Sequence, residues 1–202
     1  MKLAIGFTAL LLFIHSLSGI SMATSVRQVT LQEMIDACEF VFEGRVVEIA
    51  PRLAPDGSKI STYITFEIIE IIKGNHPGGR IELSFLGGTV GDLTLAISEM
   101  HMPQQGEKGI YFVESLQRRQ VHPFYGWDQG HFLIMVGPDG AERVTTRSRK
   151  PVLGLDSGQI RNLNSLSGGV ASGVSISDNA EDGGITVSQF KQTLRDMMRA
   201  VR

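Results

Sequence analysis

Cysteine is almost missing from this 202-residue chain, which holds Cys38 alone. One thiol cannot close an intrachain disulfide, so a small cross-linked scaffold is excluded and the fold must rest on its own apolar core. Cys38 falls beside Ile35, Ala37 and Phe40, the setting of a buried and inert thiol. A basic excess is lacking too: 19 Lys and Arg stand against 21 Asp and Glu, a formal net charge of −2. Phosphate neutralisation needs surplus cations, so nucleic acid is not an expected partner. The sequence has no zinc-site pairing of Cys or His, no HExxH, no GxSxG nucleophile elbow and no GK[ST] phosphate loop. No catalytic residue, metal site or cofactor is therefore expected, and the chain reads as non-enzymatic.

The single long apolar run lies at the start. Lys2 is followed by an apolar stretch from Leu3 to Ile14, then by small residues ending Ser21-Met22-Ala23. This order reads as a secretory signal with small side chains before the cleavage point. Its apolar core is too short to span a bilayer comfortably. Residues 1–23 are expected to be removed, placing the protein in the periplasm or outside the cell. Loss of Lys2 leaves 18 basic residues against 21 acidic ones, a charge of −3. No later segment is long and apolar enough to cross a membrane, so no integral membrane segment is expected after cleavage.

Residues 24–153 read as one mostly β domain. Thr30 with Glu33 three positions later forms a capping-box pattern that opens a short helix carrying Leu31, Met34 and Ile35 on one face. From Phe40 the period changes to two, with Phe40, Phe42 and Val46 on one side and Gly44 marking a bulge or bend. Pro55-Asp56-Gly57-Ser58 is a turn. The stretch from Thr62 to Lys73, with Ile64, Phe66 and Ile68 inward, is rich in β-branched residues and reads as a strand. Its end is apolar on both faces and calls for a cover. Further alternating sets run from Arg80 to Leu86, from Leu93 to Ile97 and from Ile110 to Glu114. A hairpin follows over 131–146 around Gly137-Pro138-Asp139-Gly140.

Residues 154–184 change character, with thirteen of thirty-one being Gly or Ser, and read as a flexible linker. Residues 185–202 read as an amphipathic helix with Phe190, Leu194, Met197, Met198 and Val201 on one stripe. That stripe is expected to dock on the β domain, against Ile69 and Ile71.

The most distinctive patch is His122-Pro-Phe-Tyr-Gly-Trp-Asp128, which holds the one tryptophan of the chain. Aromatic residues in a loop on a rigid scaffold suit recognition, so His122, Tyr125, Trp127 and Asp128 are the candidate binding residues. The competing expectation is that Phe124 and Trp127 plug one end of the core. Met100-His101-Met102 has soft ligands but strand spacing, and reads as loop. Gly87-Gly88-Thr89-Val90-Gly91 reads as an inter-strand turn.

Three segments carry a family resemblance: Phe40-Val-Phe-Glu-Gly-Arg-Val-Val-Glu48, Thr65-Phe-Glu-Ile-Ile-Glu-Ile-Ile-Lys-Gly74 and Gly106-Glu-Lys-Gly-Ile-Tyr-Phe-Val113. Over roughly residues 31–136 the chain resembles exported bacterial proteins with an oligomer-binding-type (OB-like) barrel, similar to the netrin and tissue-metalloprotease-inhibitor module. The resemblance implies a mainly β fold: a five-stranded Greek-key barrel with an extra hairpin, a short N-terminal helix and a C-terminal amphipathic helix. It also implies a protein partner, including an exported metalloprotease as a candidate. The animal inhibitors present an N-terminal cysteine to the catalytic zinc, whereas the expected start here is Thr24-Ser25, so that mechanism does not carry over. The alternative reading is a periplasmic metal-handling protein or enzyme that uses His101, His122 and His131. A structural surface protein is the third.

Overall fold

The computed structural model describes residues 26–160, 162 and 165–200, so the expected signal peptide and Val201 lie outside the described residues. Among the described residues the fold is mainly β, with two α-helices, one short and preceding the first strand and one near the C-terminus.

Helix α1 (Leu31–Ala37) begins where Thr30 Oγ1 accepts from the Glu33 backbone N–H at 3.0 Å, as the capping pattern requires. Leu31, Met34 and Ile35 are buried on one face. Two 14-residue strands follow, β1 (Phe40–Leu53) and β2 (Ile60–Lys73), and then β3 (Arg80–Leu86). A small hairpin pairs β4 (Gly88–Val90) with β5 (Leu93–Leu95). Gly88, at φ 128°, is held there by a close approach: a Cβ at that position would sit 2.3 Å from Thr62 Oγ1. Strand β6 (Lys108–Val113) returns beside β1, and the hairpin of β7 (His131–Val136) and β8 (Glu142–Thr146) completes the sheet.

The six-stranded sheet is antiparallel throughout, in the order β3-β2-β1-β6-β7-β8. The return of β6 beside β1 after a three-strand meander is Greek-key order. The expected barrel closure is not realised, because β3 and β8 do not pair and the sheet stays open. The reason lies in what covers it. Each edge is met by irregular chain: Leu86 donates to the Val121 carbonyl at 2.9 Å, and β8 bridges to Pro151 and Thr186. Each face also has its own cover, so rolling the sheet onto itself would gain no further burial. Register shifts at Val41/Phe42, Glu43/Gly44 and Val46/Glu48 bend β1, the central strand, and the bend at Gly44 is where the sequence places one.

Alternation on β1 and β6 divides the core into two. Phe40, Phe42, Phe66, Phe85, Tyr111 and Phe124 pack on one face. On the other, Val41, Ile110, Phe112, Phe132 and Val144 meet α1 and the longer helix α2 (Val187–Ala200). Val187, Phe190 and Leu194 of α2 are buried, and the Phe190 ring lies 5.0 Å from that of Phe132. Docking is thus realised, but on a different surface from the expected one. Ile69 stays 46% exposed and Ile71 packs against the opposite core, while Ile72 faces the helix side. Lys191 pairs with Glu43 and Glu70, and Arg195 pairs with Glu70, which fixes the helix over β1 and β2.

The Gly/Ser-rich stretch is more ordered than its composition suggests. It supplies Gly154 and Leu155 to β9 (Val152–Leu155), and β10 (Val174–Ile176), which pairs antiparallel with β9. It also buries Ala171 and Val174 in the helix-side core. Backbone bonds from Leu31 to Ser172 (2.8 Å) and from Ser172 to Val29 (2.9 Å) tie it to the N-terminal segment. Few apolar side chains are needed when the backbone groups are satisfied in this way.

Candidate functional site

The connection between β6 and β7 separates the four candidate binding residues. Gly126 and Trp127 are both left-handed, at φ 64° and 58°, and two such residues in succession reverse the chain. At Gly126 an added Cβ would come 2.9 Å from Gln129 Nε2. Tyr125, before the reversal, is directed to the helix side, where its hydroxyl donates to Glu33 Oε1 at 2.9 Å. Burial, reinforced by that carboxylate, pushes the phenol up to about 12. Tyr125 therefore secures α1 and stands apart from the other three.

His122, Trp127 and Asp128 come together on the opposite side. His122 is 3% exposed. Its Nδ1 accepts from the Phe124 backbone N–H at 3.2 Å, and its Nε2 donates to the His101 carbonyl at 3.2 Å, which specifies the neutral Nε2–H form. Burial lowers its pKa to about 3. The ring stacks on Trp127 (centroids 5.6 Å, planes 14° apart) and meets Phe85 edge-on at 5.0 Å. His122 is a rigid backing for one face of the indole. Phe124 joins the aromatic core, as expected of a plug, whereas Trp127 sits at its surface.

Asp128 Oδ2 pairs with His101 Nδ1 at 2.8 Å, and its buried Oδ1 has no hydrogen-bond partner among the described residues. Glu99, at φ 58°, stands beside this pair. Glu99, His101, Trp127 and Asp128 form one side of a cleft of about 420 Å³, and Val26 with Leu166–Gly169 forms the other. The second side is held by Ser167 donating its backbone N–H to the Val26 carbonyl at 2.8 Å. Buried Gln129 fixes the approach to it: Oε1 accepts from Val29 N at 2.9 Å, and Nε2 donates to the Arg27 carbonyl at 3.0 Å. The sequence reading did not find Gln129 or Leu166–Gly169. No motif marks either, since both act through backbone contacts with distant chain.

An Asp–His pair beside a serine resembles the start of a nucleophilic relay, but the geometry does not complete one. Ser167 Oγ accepts from the Gly169 N–H at 2.9 Å, and among the described residues no hydroxyl or thiol is hydrogen-bonded to His101. The third histidine, His131, is fully buried and pairs through Nε2 with Glu107 Oε1 at 2.6 Å, away from the cleft. Among the described residues no group of three or more His, Cys, Asp or Glu is placed to hold a metal ion. Cys38 is buried, and desolvation pushes its thiol up to about 12. Among the described residues, no helix is long and apolar enough to cross a membrane.

Fold and cleft together define a two-faced, open antiparallel sheet carrying an aromatic and acidic surface cleft. No protein-family model, curated protein or solved structure matches the chain.

Proposed function

We propose that the protein is an exported, non-enzymatic binding module, acting in the periplasm or outside the cell, whose recognition site is the Trp127 cleft. The observation that carries this reading is where the backbone is strained. Of the three non-glycine residues with positive φ among the described residues, Glu99 and Trp127 both line this cleft. Such conformations cost on the order of 1 kcal/mol each or more and concentrate at functional sites. The indole is backed by His122 on one face, the buried Asp128 Oδ1 lacks a partner among the described residues, and Leu166 is exposed beside them. This combination suits a protein segment that brings a basic side chain to Glu99 and Asp128 and stacks on Trp127.

An exported metalloprotease is the partner class proposed, and kinship with the OB-like netrin and inhibitor module is part of the same proposal. The meander β1-β2-β3 with β6 returning beside β1 supports it, in opened form. The experiment uses Trp127 as its own reporter, since it is the one tryptophan. Titration with exported metalloproteases of the host should shift its emission saturably, and Asp128→Asn should weaken that response. Absence of a saturable shift with every such protease rejects the partner class. A response unchanged in Asp128→Asn rejects the cleft.

A further inference from the structure

The third non-glycine residue with positive φ, Arg149 at 62°, lies elsewhere, in a groove of about 400 Å³ that shares no lining residue with the Trp127 cleft. We infer that this groove is a second ligand site, which binds an organic oxyanion carried on an apolar stem.

The charge arrangement comes first. Arg45, Arg147 and Arg149 all line the groove, and none of the three has a carboxylate within ion-pair distance among the described residues. The acids that line it are already engaged. Glu142 is held by Lys108 Nζ at 2.6 Å, and Glu107 by His131 at 2.6 Å. Lys108 in turn also reaches the buried Glu43 at 3.1 Å. The three guanidiniums are left without a carboxylate partner among the described residues. Arg147 Nε is moreover buried with no hydrogen-bond partner among the described residues. Arg149 adopts its left-handed backbone in the tight 146–150 turn, where its N–H bonds the Thr146 carbonyl at 2.9 Å, and glycine would hold that conformation with less strain. A planar guanidinium matches a carboxylate or phosphate bidentately, so grouped unpaired arginines form an oxyanion receptor.

The other wall selects the rest of the ligand. β7 contributes Leu133, Met135 and Val136, and the last two are 42% and 70% exposed. Inorganic phosphate would leave these side chains in water, whereas an anion with an aliphatic portion covers them.

The test is calorimetric titration of the purified protein with two probes, octanoate and inorganic phosphate. Octanoate should bind saturably and more tightly than phosphate. Arg45→Gln, at an exposed position where the fold is not at stake, and Arg147→Gln should each weaken octanoate by about tenfold, the loss of one charge-assisted contact. Met135→Ser should weaken octanoate and leave phosphate unchanged. Arg118→Gln, outside the groove, changes net charge equally and should have no effect. Phosphate binding without octanoate binding overturns the organic-anion assignment. Binding of neither probe, or equal weakening by Arg118→Gln and Arg45→Gln, overturns the site.

Discussion

Burial of the His122 ring among Phe85, Phe124 and Trp127 makes protonation costly in the folded state alone, and this gives the protein a defined acid response. The unfolded imidazole titrates near 6.5 and the folded one at about 3. Above pH 6.5 both forms are neutral and the contribution of His122 to stability is fully present. As pH falls below 6.5 the unfolded chain takes up the proton and the folded chain does not, so stability declines until the folded pKa is reached. Between pH 6.5 and 4.5 the loss amounts to roughly 2–3 kcal/mol. The carboxylates with lowered pKa act in a lower window. Glu33, hydrogen-bonded by Arg27, and Glu70, hydrogen-bonded by Lys191, lose their contributions only as pH falls below the ordinary carboxylate value of 4.5. Urea unfolding of the wild-type protein should therefore show falling stability from pH 6.5 to 4.5. His122→Phe, which keeps an aromatic ring against Trp127, should show a shallower decline across that window. Equal slopes in the two proteins would mean that another group takes up the proton.

At the scale of elements, the C-terminal helix offers the sharpest expectation. Phe190 and Leu194 are essentially fully buried against Phe132 and its neighbours, and Lys191 places an ammonium between Glu43 and Glu70. Phe190→Ala should cost about 3–5 kcal/mol and Leu194→Ala about 2–5 kcal/mol, because each loses transfer energy and leaves a cavity. Lys191→Met is a different kind of probe. It keeps the stem and removes the charge, so Glu43, only 3% exposed, is left with Lys108 as its single cation. Removing one partner of a buried pair typically costs about 3–5 kcal/mol, and the surviving Lys108 contact should bring the loss to the lower end of that range. Denaturant unfolding reads all three, and a change below about 0.5 kcal/mol, the range of an ordinary surface substitution, would place α2 off the core.

The same elements show what could be read from sequence. The α1 cap, the bend at Gly44, the long β2 strand and the β7–β8 hairpin were legible because periodicity and turn chemistry are local. The amphipathic stripe of α2 was legible for the same reason. Its landing surface was not, because Ile69, Ile71 and Ile72 are adjacent in sequence and only the register of β2 against β1 decides which face each takes. Tyr125 and Trp127 are two residues apart and end on opposite sides of the sheet through the left-handed Gly126–Trp127 pair. The sequence pattern held an aromatic cluster there, and backbone handedness divided it. The far side of the cleft was hidden in a Gly/Ser-rich stretch whose order comes from distant backbone partners at Val26 and Val29.

For the whole molecule, the division of the core has a consequence for unfolding. The two clusters share the same strands: Phe42 and Tyr111 face one way from β1 and β6, and Val41 and Phe112 the other. Losing either cover exposes one face of a sheet whose other face is then held by half the contacts, so the two sides should not melt independently. Each side carries its own reporter. The emission of Trp127 follows the aromatic face, and the far-ultraviolet helical signal is dominated by α2 on the opposite face. Urea transitions followed by the two signals should coincide in midpoint and slope. Phe190→Ala, which touches only the helix side, should move the Trp127 transition by the same amount as the helical one, although the substitution lies across the sheet from the indole. If the helical signal of that variant is lost at lower urea while Trp127 emission is unchanged, the faces are separate cooperative units. The Trp127 cleft would then be a site that survives undocking of α2.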